Sequence, residues 1–332
     1  MVSTSDVETA GLAGSLTKTT WCMNTSDLIE SLAAERLDGR DGLARPILIA
    51  GPTASGKSAL ALSLAERLDG IVINADSMQV YDALRILTAR PSHEEEARAP
   101  HRLYGHVSID CPYSVGRWLD DIADVLREEP RQAIIVGGTG LYFKALTAGL
   151  ASIPDIPEEV RMAVRARLDT AGPAALHAAL QELDPHAAGR IPASDPQRIV
   201  RAIEVREATG RTLSDWQREP AAPPIIDPRS ARRIVLWPER GWLRARIDRR
   251  FEAMLAAGVL DEVRAVMELA LDPDLPSYRA HGLRALIAHL NGEWTLEQAS
   301  ERVRIETRQY AKRQFTWFRN QMTDWETVNP ST

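Results

Sequence analysis

Only two cysteines, Cys22 and Cys111, occur in the 332 residues. That is too few for a disulfide framework and points to a reducing, cytoplasmic setting. The seven histidines are scattered and, with two cysteines, give no zinc-finger spacing. No apolar run approaches the roughly 18–20 residues that span a bilayer, so no membrane partner is expected. No apolar signal core follows a basic start. Lysine is nearly absent: Lys18, Lys57, Lys144 and Lys312 are all there are, and the other 36 of 40 basic residues are arginine. A biased coding sequence accounts for that ratio, yet three of the four lysines fall inside the motifs below.

What is present reads as one large or two ordinary globular domains, 44% hydrophobic and 26% charged. The net charge of −6 argues against a nucleic-acid partner, but residues 227–319 hold 17 Lys/Arg and 13 Asp/Glu, a local +4. Residues 1–45, rich in Ser, Thr, Gly and charge, read as a disordered extension with a short helix over 27–37. Strands are expected at 46–51, 70–76, 132–142 and 232–239, with helices at 58–70 and 115–129 between the first three. Strand–helix alternation implies right-handed crossovers and a parallel sheet. Residues 151–225 change texture to Ala-, Leu- and Arg-rich helix and a Pro-rich loop. The expected architecture is α/β: a P-loop NTPase-like parallel sheet flanked by helices, formed by 46–150 and 226–325, with 151–225 as a helical insertion domain.

Gly51, Pro52, Thr53, Ala54, Ser55, Gly56, Lys57 and Ser58 match G-x-x-x-x-G-K-[ST] between a strand and a helix. Backbone N–H groups and the helix N-terminus suit phosphate oxygens. Lys57 adds a point charge, and the Ser58 hydroxyl suits Mg²⁺. Asp76 ends the second strand, where ligands bind in open parallel sheets. It suits a general base, and equally a helix N-cap. The 134–146 stretch lacks the metal-holding Asp of ATPases and ends in Gly137, Gly138, Thr139 and Gly140. Glycines there admit a bulky ligand or a tight turn. Arg246, Arg249 and Arg250 share a helix, and one of them suits an electrostatic clamp. Residues 308–319 interleave Arg308, Tyr310, Lys312, Arg313, Phe315, Trp317, Phe318 and Arg319, a pattern for RNA or for an aromatic core helix. Residues 195–205 pair apolar Ile199 and Val200 with Gln197, Arg198 and Arg201.

Taken in order, "GPTASGKS", "INADSMQVY", "APHRLYGHV", "IIVGGTGLYFKAL", "DPQRIVRAIEV", "RIDRRFEAML" and "AKRQFTWFR" resemble the bacterial tRNA dimethylallyltransferases, or tRNA isopentenyltransferases, over roughly 46–320. The resemblance implies that Gly51–Ser58 holds dimethylallyl diphosphate rather than ATP, with Mg²⁺ near Ser58. It implies that the acceptor is N6 of adenosine 37 in tRNAs reading UNN codons. By the same likeness Asp76 takes the N6 proton, Thr139 lies near the reacting groups and Arg250 clamps the departing diphosphate. Asp76, Ser77, Met78, Gln79, Thr139, Arg161, Gln197, Arg198, Ile199, Val200, Arg201, Arg279, Gly282, Arg284, Lys312, Arg313, Trp317 and Arg319 would contact the tRNA. The insertion would grip the anticodon stem-loop, and a monomer suffices. Two stretches depart from the family pattern. "ILTARPS" (86–92) stands where "IGTAKP" is usual, so no substrate contact is expected of Leu87. "RAHGLR" (279–284) has Leu283 where an aromatic is common.

The competing readings are a P-loop kinase of a nucleotide or small metabolite and a non-catalytic RNA binder. The kinase would show an arginine-rich lid. The binder would show a damaged Lys57, Ser58 or Asp76, and all three are intact.

Overall fold

A computed structural model describes residues 25–34, 45–219 and 221–331. The rest of the expected N-terminal extension lies outside the described residues. In chain order the elements are α1 Thr25–Ala34, β1 Ile47–Ala50, α2 Lys57–Leu68, β2 Gly70–Asn74, α3 His93–Arg98, β3 His101–Arg102, α4 Val115–Glu128, β4 Gln132–Gly137 and α5 Gly140–Ala148. There follow α6 Glu158–Leu183, α7 Pro185–Ala188, α8 Pro196–Thr209, α9 Leu213–Arg218, β5 Arg232–Leu236, α10 Arg240–Ala256, α11 Val259–Glu268, α12 Leu283–Leu290, α13 Leu296–Gln321 and β6 Glu326–Val328.

The six strands form one sheet in the order β3-β2-β4-β1-β5-β6, every pair parallel. The strand period of two sorts the side chains to opposite faces. Ile47 and Ile49 of β1 join Ile134, Val136 and Ile234 under α1 and α2. Leu48 and Ala50 join Ile71, Ile135 and Val235 on the other face, covered by α4, α5 and the end of α13. With both faces covered, the strands read as unbroken apolar runs.

Several boundaries differ from expectation. The third anticipated strand stops at Gly137, and α5 begins at Gly140. The short edge strands β3 and β6 were not foreseen, and β6 extends the sheet past residue 325. Within the supposed disordered extension, α1 buries Leu28 and Leu32 completely. Residues 151–225 do carry their own apolar core, with Val164, Leu176, Leu180, Ile199 and Ile203 packed together. Its long helix α6 breaks at Gly172 (φ 77°), just before Pro173.

The glycines after β4 serve the fold. A Cβ on Gly137 would lie 2.0 Å from the Ala75 carbonyl oxygen, one on Gly138 2.3 Å from Gln314 Nε2, and one on Gly140 2.2 Å from the Trp317 ring. The protein's own backbone and α13 occupy the space that the sequence reading offered to a bulky ligand. Gly137→Ala should therefore lower stability by at least ~1–3 kcal/mol in chemical denaturation. Gly241→Ala on α10, with nothing within 4 Å of the new methyl, should be neutral or stabilise by up to ~1 kcal/mol.

Candidate active site

The loop between β1 and α2 turns through two residues of positive φ, Ala54 (63°) and Gly56 (90°). For alanine that conformation costs ~1–2 kcal/mol, so neighbours must hold it. Arg246 does so: its Nε–H donates to the Ala54 carbonyl at 3.0 Å, and its guanidinium lies over the Trp242 ring. The Ser55 N–H donates to the Pro52 carbonyl at 3.2 Å, and the Lys57 ammonium donates to the same oxygen at 3.3 Å. Gly51 accommodates the buried Ser55 hydroxyl, which a Cβ would meet at 2.8 Å. The first-turn N–H groups of α2 have no intrahelical partner and sit at the positive end of the helix dipole. The Thr53 N–H, counted above as part of the cradle, is committed elsewhere: it donates to Gln314 Oε1 at 2.8 Å.

Asp76 stands just beyond the carboxyl end of β2. The wholly buried Asn74 shapes that corner, donating from Nδ2 to the carbonyls of Asp76 and Leu103 and accepting the Asp76 N–H, at 2.8–2.9 Å. One Asp76 oxygen accepts the Met78 N–H at 3.0 Å. This local turn leaves the second oxygen for other work. The Thr139 hydroxyl accepts the Ser77 N–H at 3.0 Å and donates to the Ser77 hydroxyl at 3.3 Å. Burial, with the Asp76 carboxylate nearby, raises the Tyr310 phenol pKa. Thr139 thus orients the Asp76 corner through the backbone.

Lys57 and Arg250 both face Asp76 electrostatically. Desolvation pushes Lys57 down to about 8, opposed by Asp76 and assisted by Arg250. Burial brings Arg250 to about 10, again with Asp76 opposing. Two desolvated cations against one carboxylate leave positive charge uncompensated, a condition that an anion relieves.

A cavity of about 60 Å³ adjoins this group. Its lining combines the polar Thr53, Asp76 and Arg250 with the apolar Leu87, Phe251, Met254 and Val303, and includes Thr88, Thr307 and Tyr310. His281, tilted against the Tyr310 ring with centroids 4.3 Å apart, borders this cavity and a larger outer one of about 230 Å³. Gln197, Arg279 and Arg284 border the outer cavity, so the structure brings the insertion and the 279–284 segment together there.

Other expected contacts fall differently. Ile199 is fully buried, and the partly buried Val200 packs against the same cluster. Gln79 donates to the carbonyls of Thr88 and Ala89. Trp317 covers Gly140 rather than standing free. Gly282 takes φ 92° under Val303 and gives its N–H to Glu306. Arg198, Arg201, Lys312, Arg313 and Arg319 are exposed, as is Arg161, which pairs with Glu158 at 3.8 Å. The sequence reading passed over Gln314, although a lone amide on the apolar stripe of Ala311 and Phe318 signals a buried polar group with partners.

The sheet, the Gly51–Ser58 loop at a helix N-terminus and the carboxylate beside it define a P-loop α/β protein. The chain belongs to the IPP transferase family: the family model "IPP transferase" matches residues 79–321, and "Isopentenyl transferase" matches 45–107. A tRNA dimethylallyltransferase of Nitrobacter hamburgensis is 59% identical over 292 residues, 87% of this chain and 92% of the relative. A full-length tRNA isopentenylpyrophosphate transferase from Bacillus halodurans superimposes with a TM-score of 0.61 at 33% identity, covering 86% and 90% of the two chains. A eukaryotic dimethylallyltransferase captured acting on tRNA superimposes with a TM-score of 0.70 at 26% identity, covering 86% of this chain and 74% of that one.

Lys57 yields a prediction for the ligand-free protein. Its folded-state value near 8 lies below the ordinary 10.5, so between those values the folded chain binds fewer protons than the unfolded one. Stability therefore rises with pH across that window. Lys57→Met should raise stability by up to ~3 kcal/mol at pH 7, and the gain should vanish by about pH 10.5. Denaturation at the two pH values reads the difference.

Proposed function

We propose that this protein transfers the dimethylallyl group of dimethylallyl diphosphate to N6 of adenosine 37 in tRNAs reading codons that begin with U. One juxtaposition in a chain of this family supports that reading. Asp76, Thr53 of the phosphate loop and Arg250 line one cavity together with apolar side chains.

The chemistry follows from those residues. The α2 N-terminus and Lys57 take the diphosphate. The N6 lone pair attacks the allylic carbon while the carbon–oxygen bond to the diphosphate breaks. Asp76 accepts the N6 proton, and Arg250, beside it, stabilises the charge that grows on the leaving diphosphate. The adenine has to leave the anticodon loop to reach Asp76, and the outer cavity bordered by Gln197, Arg279 and His281 is the proposed route. Burial and Arg313 lower the His281 pKa, so its ring is neutral there and suits stacking. The helical insertion, 151–225, grips the anticodon stem-loop, with exposed Arg161, Arg198 and Arg201 directed at phosphates. Lys312, Arg313 and Arg319 add backbone contacts from α13.

Among the described residues no group of three His, Cys, Asp or Glu is placed to chelate a metal. The Ser58 hydroxyl, exposed in the first turn of α2, fits a Mg²⁺ ion carried mainly by diphosphate oxygens. Such an ion would offset the leaving-group charge. No helix among the described residues is long and apolar enough to cross a membrane. We propose a cytoplasmic enzyme that works as a monomer, since one chain carries every group named.

The test is a transfer assay with purified protein, Mg²⁺, dimethylallyl diphosphate and unmodified tRNA, read by mass spectrometry of the digested nucleosides. Dimethylallyl-N6-adenosine is expected, and Asp76→Ala should cut its formation by ~10²–10⁴-fold while tRNA affinity holds. Near-normal turnover would remove Asp76 as the base. Phosphoryl transfer from ATP to a metabolite, with no prenylated adenosine, would favour a kinase instead.

A further inference from the structure

The cavity beside Asp76 is lined by residues of two different apolar clusters. Thr53 comes from the phosphate loop, and Ile247 packs with Ala54 of that loop. Leu87, Phe251, Met254 and Val303 belong to the separate apolar cluster under α10–α13. A donor seated with its diphosphate on the loop would meet this second set of side chains with its hydrocarbon tail.

Leu87 is buried, at 7% exposure, and its backbone is held from three sides. The Glu262 carboxylate on α11 accepts the N–H groups of Ile86 and Leu87 at 2.7 and 2.8 Å. Gln79 donates to the carbonyls of Thr88 and Ala89, both at 2.9 Å. Arg90 donates to the carbonyls of Tyr81 and Asp82, both at 2.8 Å. The bonds of Glu262 and Arg90 are charge-assisted, a kind that fixes position strongly. The segment cannot retreat to admit a longer chain, and neighbouring core side chains are close-packed. The departure from the family pattern at Leu87 gave no reason to expect a substrate contact there; its place in the cavity lining does.

We propose that Leu87 is a specificity-determining residue, its side chain closing the apolar end of the cavity and limiting the donor to a five-carbon prenyl group. This inference rests on the proposed function, and it concerns chain length alone. The backbone bonds from Glu262 do not involve the Leu87 side chain, so truncation leaves the segment tied.

The experiment offers wild type and Leu87→Ala an equimolar mixture of dimethylallyl and geranyl diphosphates, with Mg²⁺ and unmodified tRNA. Mass spectrometry reads the ratio of ten-carbon to five-carbon adenosine adducts. Wild type should give the five-carbon adduct alone. Leu87→Ala should raise the ratio at least tenfold, and the milder Leu87→Val should fall between, which covers the case in which the alanine variant does not fold. A wild-type ratio in a folded Leu87 variant overturns the proposal. So does a changed KM for tRNA with an unchanged ratio, which would turn that wall toward the nucleobase. Wild type yielding neither adduct is a different failure: it overturns the proposed function, and the chain-length inference with it.

Discussion

The side-chain amide of Gln314 is the tie on which the site depends. Its oxygen takes the Thr53 N–H and its nitrogen gives to the Gly138 carbonyl at 2.9 Å. One buried group thereby joins the phosphate loop, the turn after β4 and the long helix α13. A buried amide stripped of either partner costs ~1–3 kcal/mol, so the three elements hold one another in a single arrangement. The missing side chains at Gly138 and Gly140 belong to the same constraint, since they let α13 approach with Gln314 and Trp317. What looks like a gap left for ligand is the seat of a helix.

That arrangement confines charge where water is scarce. Lys57 and Arg250 sit near Asp76, and burial disfavours the charged form of each cation. An anion bound beside them would favour the charged form of both cations. The carboxylate tempers this field, and its turn with Met78 leaves it an oxygen for a proton. Polar and apolar side chains line one small cavity, a combination that suits a donor with a diphosphate head and a hydrocarbon tail. A nucleotide phosphoryl donor would have no use for a wall of Leu87, Phe251, Met254 and Val303.

Much of this was legible in the residues. The phosphate loop has a fixed spacing between a strand and a helix, and β1 and α2 appear where the pattern put them. Asp76 stood out by its place at the carboxyl end of a strand. The parallel sheet followed from alternation, and the separate helical insertion from a change of composition. Less legible were features made by distant pairings. Two short edge strands carry too few residues for a periodic signal. Gln314 lies 261 residues from Thr53, and no local pattern names its partner. Glu262 lies on a helix whose sequence reads as an ordinary amphipathic face. The basic–aromatic stretch at 308–319 admitted two readings: Phe318 and Gln314 are core, as the packing reading has it, whereas Lys312, Arg313 and Arg319 are exposed.

The central claim is that the phosphate loop holds the diphosphate of a prenyl donor with its allylic carbon turned toward Asp76. A crystal structure with the slowly reacting thiolodiphosphate analogue of dimethylallyl diphosphate tests it most directly. The account predicts the diphosphate on Lys57 and the first turn of α2, with the five-carbon tail running along Leu87 and Met254. Density for the diphosphate away from the 51–58 loop, or a tail pointing out of the cavity, would contradict it.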